Sequence, residues 1–313
     1  MQPWHPRRIL SGYDRSDAVT ALLQAARPDL ECRSKRFDHV TEEDLAWAEV
    51  YLGFRRPTPA GWGGVRWVHS TGAGVDRFLF RADFPDELLL TRSPEDFGPQ
   101  IGEYCLARML AVTQQLRLFD AAQARRTWSA LEPESLAGSR AVIVGTGMVG
   151  RGIATLVASQ GVVVEGISRS GAPQPSFSRV RPVQCLADAL AGARWLVLAA
   201  PLTETSYHLV DRALLSGVRG LHLINVGRGA LVDERVIPDA LDEGWLSEAS
   251  LDVFETEPLP PESPLWAHPR VVISPHCSGV TDPSAASTGF LECLAEVQAG
   301  RVPRWAVDRE RGY

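Results

Sequence analysis

The strongest constraint in this chain of 313 residues is a glycine-rich turn with well-defined flanks. Gly145-Thr146-Gly147-Met148-Val149-Gly150 follows the β-branched run 141–144 and precedes a helical stretch over 152–159. Strand, G-x-G-x-x-G and helix in that order are the context in which the motif carries meaning. Gly145, Gly147 and Gly150 allow a tight turn and close backbone approach. A pyrophosphate can then sit on the helix N-terminus at Met148 and Val149. The motif predicts a parallel α/β domain that binds a dinucleotide.

The rest of the chain fits that prediction on both sides of the turn. Short apolar runs at 8–10, 50–52, 65–69 and 88–90 read as strands, and 18–26 as a helix. Such alternation implies a parallel sheet. Residues 101–119 form one long helical pattern, with Leu106, Met109, Leu110 and Leu116 roughly along one face, of a length that suits a domain connector. After the turn, 162–164, 195–198, 221–224, 249–253 and 271–273 are further strands, and 285–299 a last helix. A helix that follows a completed cofactor domain can pack back on the first domain and make it discontinuous.

Composition excludes several classes. With 45% hydrophobic and 22% charged residues, the chain is an ordinary globular one. Its net charge of −6 gives no global field for nucleic acid or an anionic membrane. Lys35 is the sole lysine, which excludes a phosphate-loop lysine and a Schiff-base lysine on a core element. Cys32, Cys105, Cys185, Cys277 and Cys293 are scattered and never form C-x-x-C, so neither a metal site nor a disulfide framework is expected, and a reducing cytoplasm is the simplest location. The first ten residues carry no signal-peptide core, and no window approaches the roughly 20 apolar residues of a membrane span.

A dinucleotide site of the NAD type places a carboxylate about 20 residues beyond the first glycine, on the ribose hydroxyls. Here Ser168-Arg169-Ser170 occupies that place. Two hydroxyls and a guanidinium fork suit a 2′-phosphate, which a carboxylate would repel. NADP(H) is therefore the expected cofactor, with NAD(H) possible. Arg169 as a solvated loop charge, or stacked on adenine, is the alternative.

Three later segments each leave a strand: Asn225 to Asp233, Asp252 to Pro258 and Ser274 to Gly279. Ligands bind open α/β sheets at the carboxyl ends of strands, so Arg228, a carboxylate and His276 are expected along one edge. Reduction of a 2-keto acid needs these three types. A guanidinium fork matches the substrate carboxylate and carbonyl, and a histidine supplies the proton as hydride arrives. A neighbouring carboxylate favours the imidazolium that donates it. Glu255 and Glu257 compete for that last role; the spacing from Arg228 and the following proline favour Glu257.

Together these residues resemble the D-isomer-specific 2-hydroxyacid dehydrogenases. The matching pieces are Thr71-Gly72-Ala73-Gly74-Val75-Asp76, Gly145 to Gly150, Pro201-Leu202-Thr203-Glu204-Thr205 and the three strand-end segments above, in the family's order. The resemblance implies two doubly wound parallel-sheet domains, a Rossmann cofactor domain inserted in a flavodoxin-like substrate domain, with a cleft between. Residues 1–99 and 282–313 would form the discontinuous substrate domain, and 100–281 the cofactor domain. By resemblance Arg228 binds substrate, Glu257 pairs with His276, and His276 is the general acid/base. The amides at Ala73-Gly74 would hold the substrate carboxylate, a plain strand-exit turn being the alternative. Pro201, Thr205, Val226, Gly227, Ser278 and Gly279 would join the glycine turn around the cofactor. Asp252 would lie near the nicotinamide carboxamide or cap its loop. A homodimer is implied, and Trp128 stands where dimer-arm aromatics occur, with a core tryptophan as the alternative.

Within the family, Ser-Arg-Ser looks like the NADPH-using glyoxylate and hydroxypyruvate reductases. A small 2-keto or 2-hydroxy acid is the expected partner, and a larger one such as phenylpyruvate remains open. A dinucleotide-sensing, corepressor-like protein on the same fold is the alternative from another class. The Arg-Glu-His set favours the enzyme, and the short segment after Arg301 offers little for a partner-binding tail. A reductase of non-acid carbonyls would leave Arg228 without a purpose.

Overall fold

The structure, a computed structural model, describes residues 2–13, 15–59, 61–93 and 96–312. The chain divides into two compact units, Met1–Glu95 with Thr281–Tyr313, and Asp96–Val280. Each is built on an all-parallel sheet. Among the described residues no helix is long and apolar enough to cross a membrane.

In the first unit, β1 (Arg8–Ser11), β2 (Glu31–Ser34), β3 (Val50–Gly53), β4 (Trp67–Ser70) and β5 (Leu89–Arg92) stand in the order β2-β1-β3-β4-β5. That is the flavodoxin-like order. Every residue of β3 and β4 is buried, because both faces of the sheet are covered. Side chains alternate between the faces. Ile9, Val50, Leu52 and Trp67 meet α1 (Ser16–Ala26) and α10 (Pro283–Gln298), and the Trp67 ring stacks on Phe290 at 4.9 Å. Leu10, Tyr51, Val68 and Leu90 face the other way, toward Leu45 of α2 (Glu42–Trp47) and Phe78 of α3 (Asp76–Leu79).

The second unit contains β6 (Arg140–Val144), β7 (Val163–Ser168), β8 (Arg179–Pro182), β9 (Trp195–Leu198), β10 (Leu221–Asn225), β11 (Leu246–Leu251) and β12 (Val271–Ile273). Their order is β12-β11-β10-β9-β6-β7-β8, the doubly wound dinucleotide-binding order extended by one strand. Strand order reverses between β6 and β9, so the switch point lies at the ends of those two strands. The helices are α4 (Gly98–Thr113), α5 (Leu116–Ala124), α6 (Met148–Ser159), α7 (Leu186–Leu190), α8 (Arg212–Ser216) and α9 (Ile237–Asp242).

Several elements differ from the sequence expectation. The single helix over 101–119 is two helices, α4 and α5. Gln115 takes a left-handed conformation with φ 54°. The segment after α5 holds the break: Glu134 N donates to Thr113 O, and the side-chain amides of Gln114 and Gln115 donate to the Glu134 and Glu132 carbonyls. Met109 is buried, whereas Leu110 and Leu116 are exposed, so the four residues do not share one buried face. Helix α6 begins at Met148, inside the glycine motif, rather than at 152. Strand β11 spans Leu246–Leu251, which places Asp252 just beyond its end. Strands β2 and β8 carry charged, partly exposed residues at sheet edges and show no apolar run. Trp128 is 99% exposed and is no core residue.

Candidate active site

The glycine motif sits at the switch point of the second unit. Gly145 has φ 101°, and a β-carbon there would lie 2.6 Å from Ala199 O at the end of β9. Only glycine lets the two strand exits approach so closely. A β-carbon at Gly150 would collide with the Gly145 carbonyl, so the third glycine seats α6 on the turn. Gly147 differs: its missing side chain faces open space. It caps α6 with no side-chain acceptor on the first amides. A helix N-terminus with open space before it fits an anionic pyrophosphate. The donor set therefore suits a dinucleotide.

Strand β7, next to β6, ends at Ser168. Ser168 Oγ accepts from Gly171 N at 3.0 Å, which folds the loop back, and Arg169 and Ser170 are exposed on it. On the other side of the switch point, Ser206 braces the loop after β9 by donating to Pro201 O at 2.8 Å and accepting from Thr203 N at 2.8 Å; Thr203 and Thr205 pair through their hydroxyls. Val226 and Gly227 are buried at the end of β10.

Arg228, Glu257 and His276 follow β10, β11 and β12, three neighbouring strands. Asn225 shapes the first loop: its Nδ2 donates to Arg228 O at 2.9 Å, and its Oδ1 accepts from Gly227 N at 3.2 Å. Gly229 lets that loop lie on the backbone of Phe254 and Glu255, where a β-carbon would overlap both. The partly buried Arg228 is thereby packed, through its own loop, onto the segment that carries Glu257.

His276 Nδ1 lies 3.0 Å from Glu257 Oε2 and 3.1 Å from Oε1. Glu257 Oε1 also accepts from Phe254 N at 3.1 Å. The Glu257 side chain is 8% exposed and that of His276 27%. A carboxylate accepts only, so this pairing puts a proton on Nδ1 and leaves Nε2 to exchange a proton with a ligand. Glu255 is engaged elsewhere, with His208 Nε2 at 2.9 Å and the Glu234 amide.

Asp252 is fully buried and organises the His276 loop. Its Oδ1 accepts from Ser274 Oγ at 2.6 Å and Cys277 N at 3.0 Å, and its Oδ2 from Ser278 N at 2.9 Å; its carbonyl accepts from His276 N at 2.8 Å. These bonds hold His276 at φ 51°, a left-handed conformation that a non-glycine residue adopts only when its surroundings impose it. Tyr104 of α4 extends the network through its hydroxyl to Ser274 Oγ at 2.7 Å, and burial pushes that phenol above its ordinary range. Gly279 packs on Ile101 and Phe97. Ser274 opens one of the strand-end segments marked in the sequence, but Tyr104 carries no such mark; a tyrosine 170 residues away from its partner gives no local signal.

In the first unit, Ala73 and Gly74 follow β4 in a turn held from inside. Ser70 Oγ lies 2.9 Å from Gly74 O and 3.2 Å from Gly72 O, and Arg92 Nη1 donates to Ala73 O at 2.9 Å. Among the described residues the Ala73 and Gly74 amides meet no acceptor.

A doubly wound sheet, a glycine turn on a helix N-terminus and a histidine–carboxylate pair at the same strand ends define a dinucleotide-dependent oxidoreductase. Residues 106–278 match the family described as D-isomer specific 2-hydroxyacid dehydrogenase, NAD binding domain. The chain belongs to that family. It is 34% identical over 254 residues to glyoxylate/hydroxypyruvate reductase A of Klebsiella pneumoniae strain 342, covering 79% of this chain and 81% of the relative. It resembles the crystal structure of a D-isomer specific 2-hydroxyacid dehydrogenase from Xanthobacter autotrophicus Py2 in complex with NADPH and MES, with TM-score 0.87, 32% identity and coverage of 99% and 100%. It also resembles an NADPH-dependent glyoxylate/hydroxypyruvate reductase from Sinorhizobium meliloti in complex with NADP and sulfate, with TM-score 0.85, 27% identity and coverage of 98% and 100%.

Proposed function

We propose that this enzyme reduces small 2-keto acids, glyoxylate and hydroxypyruvate first among them, to 2-hydroxy acids with NADPH. The observation that carries the reading is the His276 Nδ1 contact with the buried Glu257 carboxylate at 3.0 Å. It leaves a proton-transferring Nε2 at the strand edge where this fold binds ligands. The nicotinamide, when bound, supplies the hydride. His276 gives a proton to the substrate oxygen, and Glu257 stabilises the imidazolium before that transfer. Arg228 binds the substrate carboxylate and carbonyl as a fork. The Ala73 and Gly74 amides receive carboxylate oxygens. Asp252, tied to the Ser274, Cys277 and Ser278 groups, fixes the His276 loop. The α6 N-terminus with Gly145, Gly147 and Gly150 receives the pyrophosphate.

Three observations support NADP(H). Ser168 replaces the ribose-binding carboxylate, Arg169 and Ser170 are exposed beside it, and the two similar structures named above, a dehydrogenase and a reductase, hold NADPH or NADP. Exposed Leu116, Leu118 and Trp128 in the second unit support a homodimer, and five free thiols support a reducing, cytoplasmic location. The test is turnover of glyoxylate and hydroxypyruvate with NADPH and NADH, in the wild type and Arg228→Ala. NADPH-dependent reduction lost in the variant is expected; tight NADPH binding without turnover of any 2-keto acid would overturn the reading.

A further inference from the structure

Arg92 ends β5, in register with Ser70 at the end of β4, and its side chain turns under the loop that follows β4. It is partly buried. Among the described residues no carboxylate lies within ion-pair distance of it, and burial holds its guanidinium below the ordinary arginine range. A cation withdrawn from water with no anionic partner costs free energy that a folded chain normally recovers through pairing. Its bond goes instead to the Ala73 carbonyl.

That bond has a geometric consequence. In a trans peptide the C=O and the following N–H point in opposite directions. Arg92 on Ala73 O therefore turns the Gly74 N–H outward. Ser70 Oγ, shared between Gly72 O and Gly74 O, does the same for the Ala73 N–H. The carbonyls of Gly72, Ala73 and Gly74 are tied down on the inner side, and the amides of Ala73 and Gly74 are presented without an acceptor among the described residues. A positive charge behind the peptide also polarises it, which strengthens the outward N–H as a donor to an anion.

We propose that Arg92 is a positioning residue for recognition of the substrate carboxylate. It aims and polarises the Ala73–Gly74 amides from beneath, and its positive charge makes that turn selective for an anion. The inference rests on the proposed 2-keto-acid reductase activity and deepens it by naming what sets the preference for an acid over a neutral carbonyl compound.

The test compares Arg92→Gln and Arg92→Lys with the wild type, using glyoxylate, its neutral methyl ester and oxalate as a competitive probe. Arg92→Gln should raise the glyoxylate KM and the oxalate Ki about tenfold or more, with kcat changed by less than about threefold. Turnover of the methyl ester should stay within about threefold, since loss of a charge behind the turn weakens recognition of anions only. Arg92→Lys keeps the cation and one N–H, so its KM should fall between the two; it also serves as the test where Arg92→Gln does not fold. NADPH affinity, read by fluorescence, should be unchanged in both. A glyoxylate KM and oxalate Ki within about twofold of the wild type, or equal losses for acid and ester, would overturn the assignment of Arg92. Absence of wild-type turnover would instead overturn the reductase reading; calorimetry of oxalate binding to the wild type and Arg92→Gln then still decides whether the turn depends on Arg92 for anions.

Discussion

Gly152 on α6 lies against Gly98 on α4 so closely that a β-carbon at position 152 would overlap the Gly98 Cα and its carbonyl group. Gly102, one turn further along α4, also faces this part of α6. The contact matters beyond stability because α6 starts at Met148, inside the glycine turn proposed to receive the pyrophosphate, and α4 carries Tyr104 toward Ser274. Gly152→Ala should destabilise the protein by about 1–3 kcal/mol, since overpacked backbone contacts cannot relax by rotamer changes. Thermal unfolding measures the loss, and NADPH affinity should weaken in the same variant because the helix N-terminus shifts. An unchanged melting temperature would mean that the helices separate at no cost, contrary to this account.

The pair of His276 and Glu257 gives a second expectation. Replacing His276 by Gln removes the proposed proton donor, and kcat should fall by about 100- to 10,000-fold. NADPH affinity should persist, because the glycine turn is untouched. Glu257→Gln keeps an acceptor for Nδ1 but withdraws the negative charge that stabilises the imidazolium, so a smaller loss, about tenfold to a hundredfold, is expected. Single-turnover reduction at saturating cofactor separates these effects from binding. Full activity in Glu257→Gln would assign the carboxylate a structural role only.

Such residues were readable before the fold was known because their signal is local. Residues 195–198 form an uninterrupted apolar run, and β9 is buried on both faces, as a central parallel strand must be. Arg228, Glu257 and His276 each stand a few residues beyond such a run. Strands β2 and β8 escaped notice because edge strands keep polar side chains in solvent. The break at Gln115 was hidden as well. Helical periodicity continues across it, and the left-handed residue is held by a segment from 132 to 134 whose carbonyls accept from the side-chain amides of Gln115 and Gln114. Tyr104 and Arg92 act through partners on other elements, a relation that exists only once the strands are side by side.

Cofactor preference should respond to Arg169. It is exposed on the loop after β7, next to the position where a ribose-binding carboxylate would stand. Arg169→Ala would remove the proposed charge-assisted contact to a 2′-phosphate, worth about 1.5–3 kcal/mol, so the NADPH KM should rise about tenfold to a hundredfold. The NADH KM should hardly change, which makes the ratio of kcat/KM values the informative measurement. Equal effects on both cofactors would place Arg169 on the adenine or the pyrophosphate instead.

Stability should also carry a pH signature from Glu234. Burial, together with the nearby carboxylates of Glu255 and Glu257, pushes its carboxyl up to about 7. In an unfolded chain a glutamate titrates near about 4.3. The folded state therefore holds this proton more tightly. Its contribution to stability is fully present below about pH 4 and is lost as the pH rises through about 7. Glu234→Gln keeps the oxygen that accepts from Glu255 N but cannot ionise. The variant should then be more stable than the wild type above about pH 7, by on the order of 2 kcal/mol once solvent screening of this partly exposed group is allowed for, and the two should converge near about pH 4. Urea midpoints of both proteins across that range check this, because other titrating groups cancel in the difference. A constant difference at every pH would show that Glu234 titrates in the folded protein as it does in the unfolded chain, and that burial and the Glu255 and Glu257 charges do not act on it.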